Sequence, residues 1–324
     1  MADRPSEFAL IAKLFAPLAE TPGALGLMDD VALLPVRAGH DLIVTTDALV
    51  EGVHFLADDP SVSIAKKALR VNLSDLAAKG AEPAGYLLAL SLPAHVGMAW
   101  LEGFARGLGE DQKTFAVPLL GGDTTATPGP LTLAITAIGH VPAGAMIRRA
   151  GAKAGDGVYV SGTIGDAGGG LALLTGEGAD ISGCEAGTLI ERYRLPSPRL
   201  ALGRALLGVA SAALDVSDGL IADLSHIAEV SRVRIAVEAA RIPRSSALRA
   251  LWGDTPEAIV RAATAGDDYE IAFAASSEEK VMEAAKLAGV AVTRIGRVVE
   301  GSGVALLDSK GHEIAVSRAG FTHF

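Results

Sequence analysis

An apolar, β-branched run opens the stretch from residue 42 to 55, where Leu42, Ile43 and Val44 give way to Thr45, Thr46 and Asp47, then to Gly52-Val53-His54-Phe55. Such residues suit a pleated strand, so the run predicts one that leaves the core at Thr45, grouping hydroxyl and carboxylate oxygens at its end. Upstream, Phe8, Ile11, Leu14, Phe15 and Leu18 recur at the helical period behind Ser6, a fitting N-cap, and Pro22-Gly23 lies beyond the end. A loop then delivers Asp29 and Asp30 to a predicted strand over residues 31–36. Residues 61–79 read as a helix with Ile64, Ala68 and Val71 on one face, and four residues on the stripe lands on Asp75. A carboxylate there is costly to bury unless it is paired or binds a metal; a helix that frays before Asp75 would instead leave it in solvent.

The alternation of elements continues through the chain. Residues 85–92 read as a strand and residues 98–108 as a helix with Trp100, Leu101, Phe104 and Leu108 inward. A short strand over residues 117–120 ends in Gly121-Gly122-Asp123-Thr124-Thr125, again an acid and hydroxyls at a strand terminus, and another strand spans residues 131–141. Pro142-Ala143-Gly144 marks a boundary between an N-terminal domain, residues 1–142, and a C-terminal domain, residues 143–324. In the latter, a strand over residues 157–161 runs into Gly162-Thr163-Ile164-Gly165-Asp166-Ala167-Gly168, whose glycine spacing is neither a phosphate loop nor a dinucleotide fingerprint. Pro196-Ser197-Pro198 breaks the chain before a further helix. Leu214-Asp215-Val216-Ser217-Asp218-Gly219-Leu220 precedes Ile221, Leu224, Ile227 and Ala228 at helical spacing, which sets Asp215 and Asp218 near a helix N-terminus, where anions are welcome. Gly266-Asp267-Asp268-Tyr269-Glu270 leads into a strand over residues 271–274; a helix over 278–287 and strands over 292–299 and 304–307 follow, and the chain closes on Gly320-Phe321-Thr322-His323-Phe324.

Composition narrows the class. At 324 residues the chain suits two domains, and with 50% apolar residues, 38 Gly and 4% aromatics its core is built from Ala, Val, Leu and Ile, the habit of α/β (α+β) proteins. The formal charge is 28 − 38 = −10 with no Lys/Arg run, which excludes the footprint of a nucleic-acid binder. An anionic protein that handles phosphates needs metal ions between them. Cys184 stands alone, excluding an internal disulfide, a Cys-based zinc site and a Cys-ligated cluster. A polar start without a signal-type apolar stretch, and no run of 18 apolar residues, predict a soluble cytoplasmic protein that does not meet the membrane. Each acidic cluster alone fits ordinary turn chemistry; repeated with hydroxyls in both halves, the clusters suggest oxygen ligands for a hard cation such as Mg²⁺.

Six segments in order carry a resemblance. Asp29-Asp30-Val31-Ala32-Leu33-Leu34, Thr45-Thr46-Asp47 with Gly52-Val53-His54-Phe55, Val71-Asn72-Leu73-Ser74-Asp75-Leu76-Ala77, Gly121-Gly122-Asp123-Thr124-Thr125, the run 214–220 and the run 266–270 together resemble the thiamine-monophosphate kinases, within the superfamily of aminoimidazole ribonucleotide synthetase. The resemblance covers essentially the whole chain. It implies a mixed sheet with flanking helices in the N-terminal domain, which binds ATP and metal and pairs as a homodimer, and a C-terminal α/β domain that completes the nucleotide and substrate sites. It further implies transfer of the γ-phosphoryl group of ATP to thiamine monophosphate. By resemblance, Asp30, Thr45, Thr46, Asp47, Asp75, Asp123, Asp215 and Asp218 hold several Mg²⁺ ions, among which Asp47, Asp75, Asp123 and Asp218 act in catalysis through bound metal. Gly122, Asp123, Arg149 and Ser217 contact ATP, and His54, Asp267 and Phe321 surround thiamine monophosphate. Three positions depart from the usual pattern: Met28 for Gly, Asp267 for Glu, and Phe321 for Tyr or Trp.

The chemistry agrees with that residue set. A phosphate monoester acceptor is largely ionised near neutral pH, its second pKa being about 6, so no general base is required. What the site must do is neutralise, align and exclude water. Two other readings compete: a purine-pathway cyclase of the same superfamily, whose expected substrate-binding sequence is not evident, and a non-catalytic divalent-metal module, against which the acids are scattered over both halves instead of forming an EF-hand loop.

Overall fold

Strand pairing and helix packing in this computed structural model divide the chain into two compact units, and residues 6–177 and 181–322 are described. The first unit comprises the chain up to Leu76 with Ala81–Gly144; the second, Ala77–Gly80 with Ala145 onward. His323 and Phe324, the end of the aromatic tail, lie outside the described residues.

The first unit opens with the single turn α1 (Glu7–Leu10), continued by π and 3₁₀ turns to Leu18, in which Leu14 and Phe15 are buried but Phe8 is exposed. Strand β1 (His40–Val50), helix α2 (Ser61–Ala78), strand β2 (Glu82–Leu92), helix α3 (Met98–Phe115) and strands β3 (Leu119–Ala126) and β4 (Thr132–Pro142) follow. The sheet order is β1-β4-β2-β3, with β2 and β3 parallel and the other pairs antiparallel. Ile64, Ala68, Leu69 and Leu76 of α2 and Leu101, Phe104 and Leu108 of α3 are buried on one face of this sheet, and Trp100 stacks on Phe104 at 5.1 Å.

Three expectations change here. Residues 31–36 form no strand: Pro35 lacks an N–H to give a ladder, a main-chain bond from Leu33 N–H to Gly23 O ties the segment to the turn before it, and Val31, Leu33 and Val36 are exposed. Thr45–Asp47 lie in the middle of β1 and not at its end, because β4 pairs with β1 over its whole length, from His40 opposite Pro142 to Val50 opposite Thr132. Gly121, Gly122 and Asp123 likewise lie inside β3, which stays paired to β2 as far as Ala126. By contrast α2 runs unbroken past Asp75.

The second unit runs β5 (Gly157–Ser161), α4 (Asp166–Leu174), α5 (Gly183–Arg194), α6 (Leu200–Ala205), β6 (Ala210–Asp215), α7 (Leu220–Ser231), β7 (Arg234–Glu238), α8 (Ser246–Trp252), α9 (Pro256–Ala263), β8 (Ile271–Ala275), α10 (Glu278–Ala288), β9 (Val292–Val299) and β10 (Gly303–Leu307). Its sheet has the order β10-β7-β9-β5-β8-β6, parallel only between β10 and β7. Alternation sends Val158, Val160, Leu214 and Ala272 into a core with Leu220, Leu224 and Ile227 of α7, and Tyr159 and Phe273 into a second core with Leu202 and Val281. A sheet covered on both faces reads as unbroken apolar runs, as β5 and β8 do. Among the described residues no helix is long and apolar enough to cross a membrane.

Candidate active site

Helix α2 is fastened to β1 by polar side chains. The Thr45 hydroxyl donates to Asp75 Oδ2 at 2.5 Å, and the buried Asn72 accepts from the Asp47 N–H at 3.1 Å while donating to Ala68 O at 3.0 Å. The inward stripe of α2 thus delivers Asn72 and Asp75 to the strand, the reason a carboxylate sits where the pattern asks for an apolar group. Burial, and then the charge of Asp75, push the Asp47 carboxyl up to about 6. Two carboxylates so placed disfavour each other's ionised forms, a tension that a cation relieves.

Alternation across the sheet separates the remaining acids of this unit. One cross-strand row reads Asp47, Ile135, Leu88, Gly122; its neighbours read Thr46, Thr136, Leu87, Gly121 and Ala48, Ala134, Ala89, Asp123. Ile135 and Leu88 are buried and Leu87 is 38% exposed, so Asp47 and Thr45 face the helices while Thr46 and Asp123 face the open side. Asp47 and Asp123 also stand on the two edge strands, three strand spacings apart, about 14 Å. The Thr46 hydroxyl is bonded to Ile135 O and to Thr136. Asp29 and Asp30, both exposed, line a pocket of about 600 Å³ with Gly122, Asp123 and Thr124. What comes close to Gly122 is the neighbouring strand: a Cβ there would lie 1.9 Å from Leu88 O.

His54 ends the turn after β1. Its Nδ1 accepts the Val50 N–H at 3.0 Å, which leaves the proton of the neutral ring on Nε2, and its carbonyl accepts from the buried Lys67 at 2.8 Å.

In the second unit, main-chain bonds gather three distant segments. Val216 N–H donates to Glu270 O and Tyr269 N–H to Val216 O, Asp267 N–H donates to Ser217 O at 2.8 Å, and Phe321 N–H donates to Asp218 O at 2.9 Å. Asp215, Ser217, Asp218, Asp267 and Phe321 are thereby set around one loop; Phe321 is 42% exposed, not a core residue. Arg149 is exposed, its carbonyl accepting from Ser231.

Several residues of this unit were given no role by the sequence. Glu270, fully buried, accepts from Ser161, Arg192 and Arg199. Asp268, also fully buried, accepts from the N–H groups of Gly165 and Ala167, and burial pushes it up to about 8 against the opposing charge of Arg192. Next to these anchors, Asp267 before Asp268 and Tyr269 between the two hold left-handed backbones, φ 69° and 51°, costly for non-glycine residues and kept only where the surroundings enforce them. Asp223 of α7 is buried and pushed up to about 7 by burial and then by Asp218. Asp218, Asp223 and His226 offer ligand atoms within 4.8 Å of one another, the one such group among the described residues. The signal for Asp223 was present: it interrupts the stripe Leu220, Leu224, Ile227 as Asp75 interrupts that of α2.

The model of the AIR synthase related protein N-terminal domain matches residues 28–141, and that of the C-terminal domain matches residues 153–309. Two such domains, each carrying acidic oxygens on its sheet or at a helix start, define an AIR synthase-related protein. The chain is 48% identical over 325 residues to the thiamine-monophosphate kinase of Caulobacter vibrioides, covering 98% of this chain and 91% of the relative. It matches the crystal structure of thiamine-monophosphate kinase from Stenotrophomonas maltophilia K279a with a TM-score of 0.85 at 42% identity, over 95% of this chain and 98% of the other. A structure described as AaThiL complexed with AMPPCP and TMP matches with a TM-score of 0.79 at 31% identity, over 98% and 97% of the two chains. The chain belongs to the thiamine-monophosphate kinase family.

Proposed function

We propose that the chain carries out its family's reaction with Mg²⁺ held by its carboxylates, moving the γ-phosphoryl group of ATP directly and in line to thiamine monophosphate to give thiamine diphosphate and ADP. The observation that carries the metal is the Thr45, Asp47, Asp75 group: an all-oxygen donor set whose Asp47 is pushed up to about 6 where a cation would relieve it. The substrates are supported by the similar structure described as complexed with AMPPCP and TMP.

When bound, Mg²⁺ would supply the positive charge that neutralises the phosphate oxygens. Asp47 and Asp75, with Thr45 orienting Asp75, would hold it in the first unit, and Asp30 and Asp123 would offer further oxygens from their shared pocket; in the second unit Asp215 and Asp218 would do the same. Thr46, its hydroxyl already bonded on the open face, is left out of this set. Gly122, Ser217 and the exposed Arg149 would contact the nucleotide. His54 would offer its Nε2–H, Asp267 its carboxylate and Phe321 its ring face to thiamine monophosphate. No side chain need take a proton from an acceptor already ionised.

The partner we propose is a second copy. The open face of the first sheet carries Leu42, Val44 and Leu87, with Met28, Val31 and Leu33 also exposed, and among the described residues both edge strands have an unpaired side. A copy that covers the face and meets the edges would set β3 of one protomer beside β1 of the other, which makes the first unit the seat of dimerisation as well as of metal and nucleotide. The setting we propose is the cytoplasm, where ATP is available and an exposed Cys184 stays reduced. Incubation with ATP, Mg²⁺ and thiamine monophosphate tests the reaction: one thiamine diphosphate per ADP is expected, and ADP without thiamine diphosphate refutes it.

A further inference from the structure

Asp223 lies four residues into α7 and points backward. Its Oδ2 accepts three consecutive main-chain N–H groups, those of Ser217, Asp218 and Gly219, at 3.0, 3.1 and 3.1 Å. A helix cap would satisfy the first amides of the helix itself, those of Leu220, Ile221 and Ala222; Asp223 instead reaches past them to the loop before the helix. That loop cannot be held by a side chain at Gly219, where φ is +126° and a Cβ would meet the Thr264 backbone at 2.9 Å. Its carbonyl side is taken by the main chains of Asp267 and Phe321. Among the described residues, the loop therefore hangs between one buried carboxylate on its N–H side and two main-chain segments on its C=O side.

We infer that Asp223 is a positioning residue of the phosphoryl transfer: it sets the Ser217–Asp218 loop, and through the Asp267 and Phe321 bonds couples the metal-binding and substrate-binding segments of this unit. The inference rests on the reading of Asp218 as a metal ligand given above. Loss of an outer partner that orients a ligand costs about 10–100-fold in metal affinity or activity. Asp223→Ala should therefore raise both the half-saturating Mg²⁺ concentration and the KM for thiamine monophosphate by about tenfold or more, with amide exchange over residues 216–219 accelerated. Asp223→Asn keeps an oxygen acceptor and should restore both constants to near wild type.

Three results would overturn the inference. Asp223→Ala could lower only the thermal midpoint and leave the kinetic constants alone, which is a merely structural role. Asp223→Asn could be as impaired as Asp223→Ala, which makes Asp223 itself a ligand. Exchange over residues 216–219 could stay as slow as in wild type. Should Asp223→Ala prove insoluble, Asp223→Asn and the exchange measurement decide alone, faster exchange or lost Mg²⁺ affinity in Asp223→Asn counting against it. If Asp218→Asn leaves the Mg²⁺ dependence untouched, the metal reading is what fails, and the exchange data still judge the positioning.

Discussion

Asp47 concentrates the physical problem of this protein in one side chain. Its carboxyl is pushed up to about 6 by burial and the charge of Asp75. In the absence of metal the folded chain therefore holds a proton that the unfolded chain, with an ordinary Asp, has released between about pH 4 and 6. Stability drawn from this group is present at the acid end of that window and lost as pH rises through the folded value. Asp47→Asn should flatten the slope and raise metal-free stability at neutral pH by about 1–3 kcal/mol while nearly abolishing turnover. Thermal scans from pH 4 to 7 check it, and an unchanged slope refutes it. Phe321 poses a simpler case, an exposed ring whose main chain is tied to Asp218. Phe321→Ala should raise the KM for thiamine monophosphate about 3- to 10-fold, the worth of a half-exposed cation–π contact, and leave that for ATP nearly alone; an equal rise in both speaks against ring recognition.

Elements present these groups because each is locked to a neighbour at a polar joint. Asn72 and Asp75 turn the inner face of α2 into a clamp on β1, so helix and strand place Asp47 together. The run 266–270 works by alternation: Asp268 and Glu270 go inward, and the strained Asp267 and Tyr269 are held beside them. Breaking a buried ion pair from one side strands the other charges, so Glu270→Gln, which leaves Arg192 and Arg199 facing a neutral amide, should destabilise the second unit by about 3–5 kcal/mol. Denaturant titration checks this, and a loss under 1 kcal/mol would mean water replaces the pair. Helical periodicity made Asp75 visible in the sequence and could have exposed Asp223 by the same test. That Asp268 and Glu270 are buried anchors was not legible, although their run was, since Gly165, Ala167, Ser161, Arg192 and Arg199, which hold them, are all distant in the chain.

At the scale of the molecule, the sheet of the first unit does not bring its acids to one point. Asp47 and Asp123 occupy opposite edges and opposite faces of the first sheet. With a second copy meeting those edges, the Asp47→Asn and Asp123→Asn chains, each inactive alone, should complement when mixed. Half of randomly paired dimers are mixed and each regains one of two sites, so about a quarter of wild-type activity is expected. Subunit exchange followed by assay measures it, and no recovery places both acids in one protomer's site.

The strands and helices that carry the acidic segments, the oxygen-rich character of those segments and the family to which they point were legible in the sequence, because periodicity and local residue chemistry act over a few neighbours. Where β1 ends, which face of the sheet Asp123 takes, and which carboxylates are swallowed by arginines and N–H groups were decided only in three dimensions. Pairing length and register depend on a partner strand some ninety residues away, and shifting a strand by one position turns every side chain to the other face.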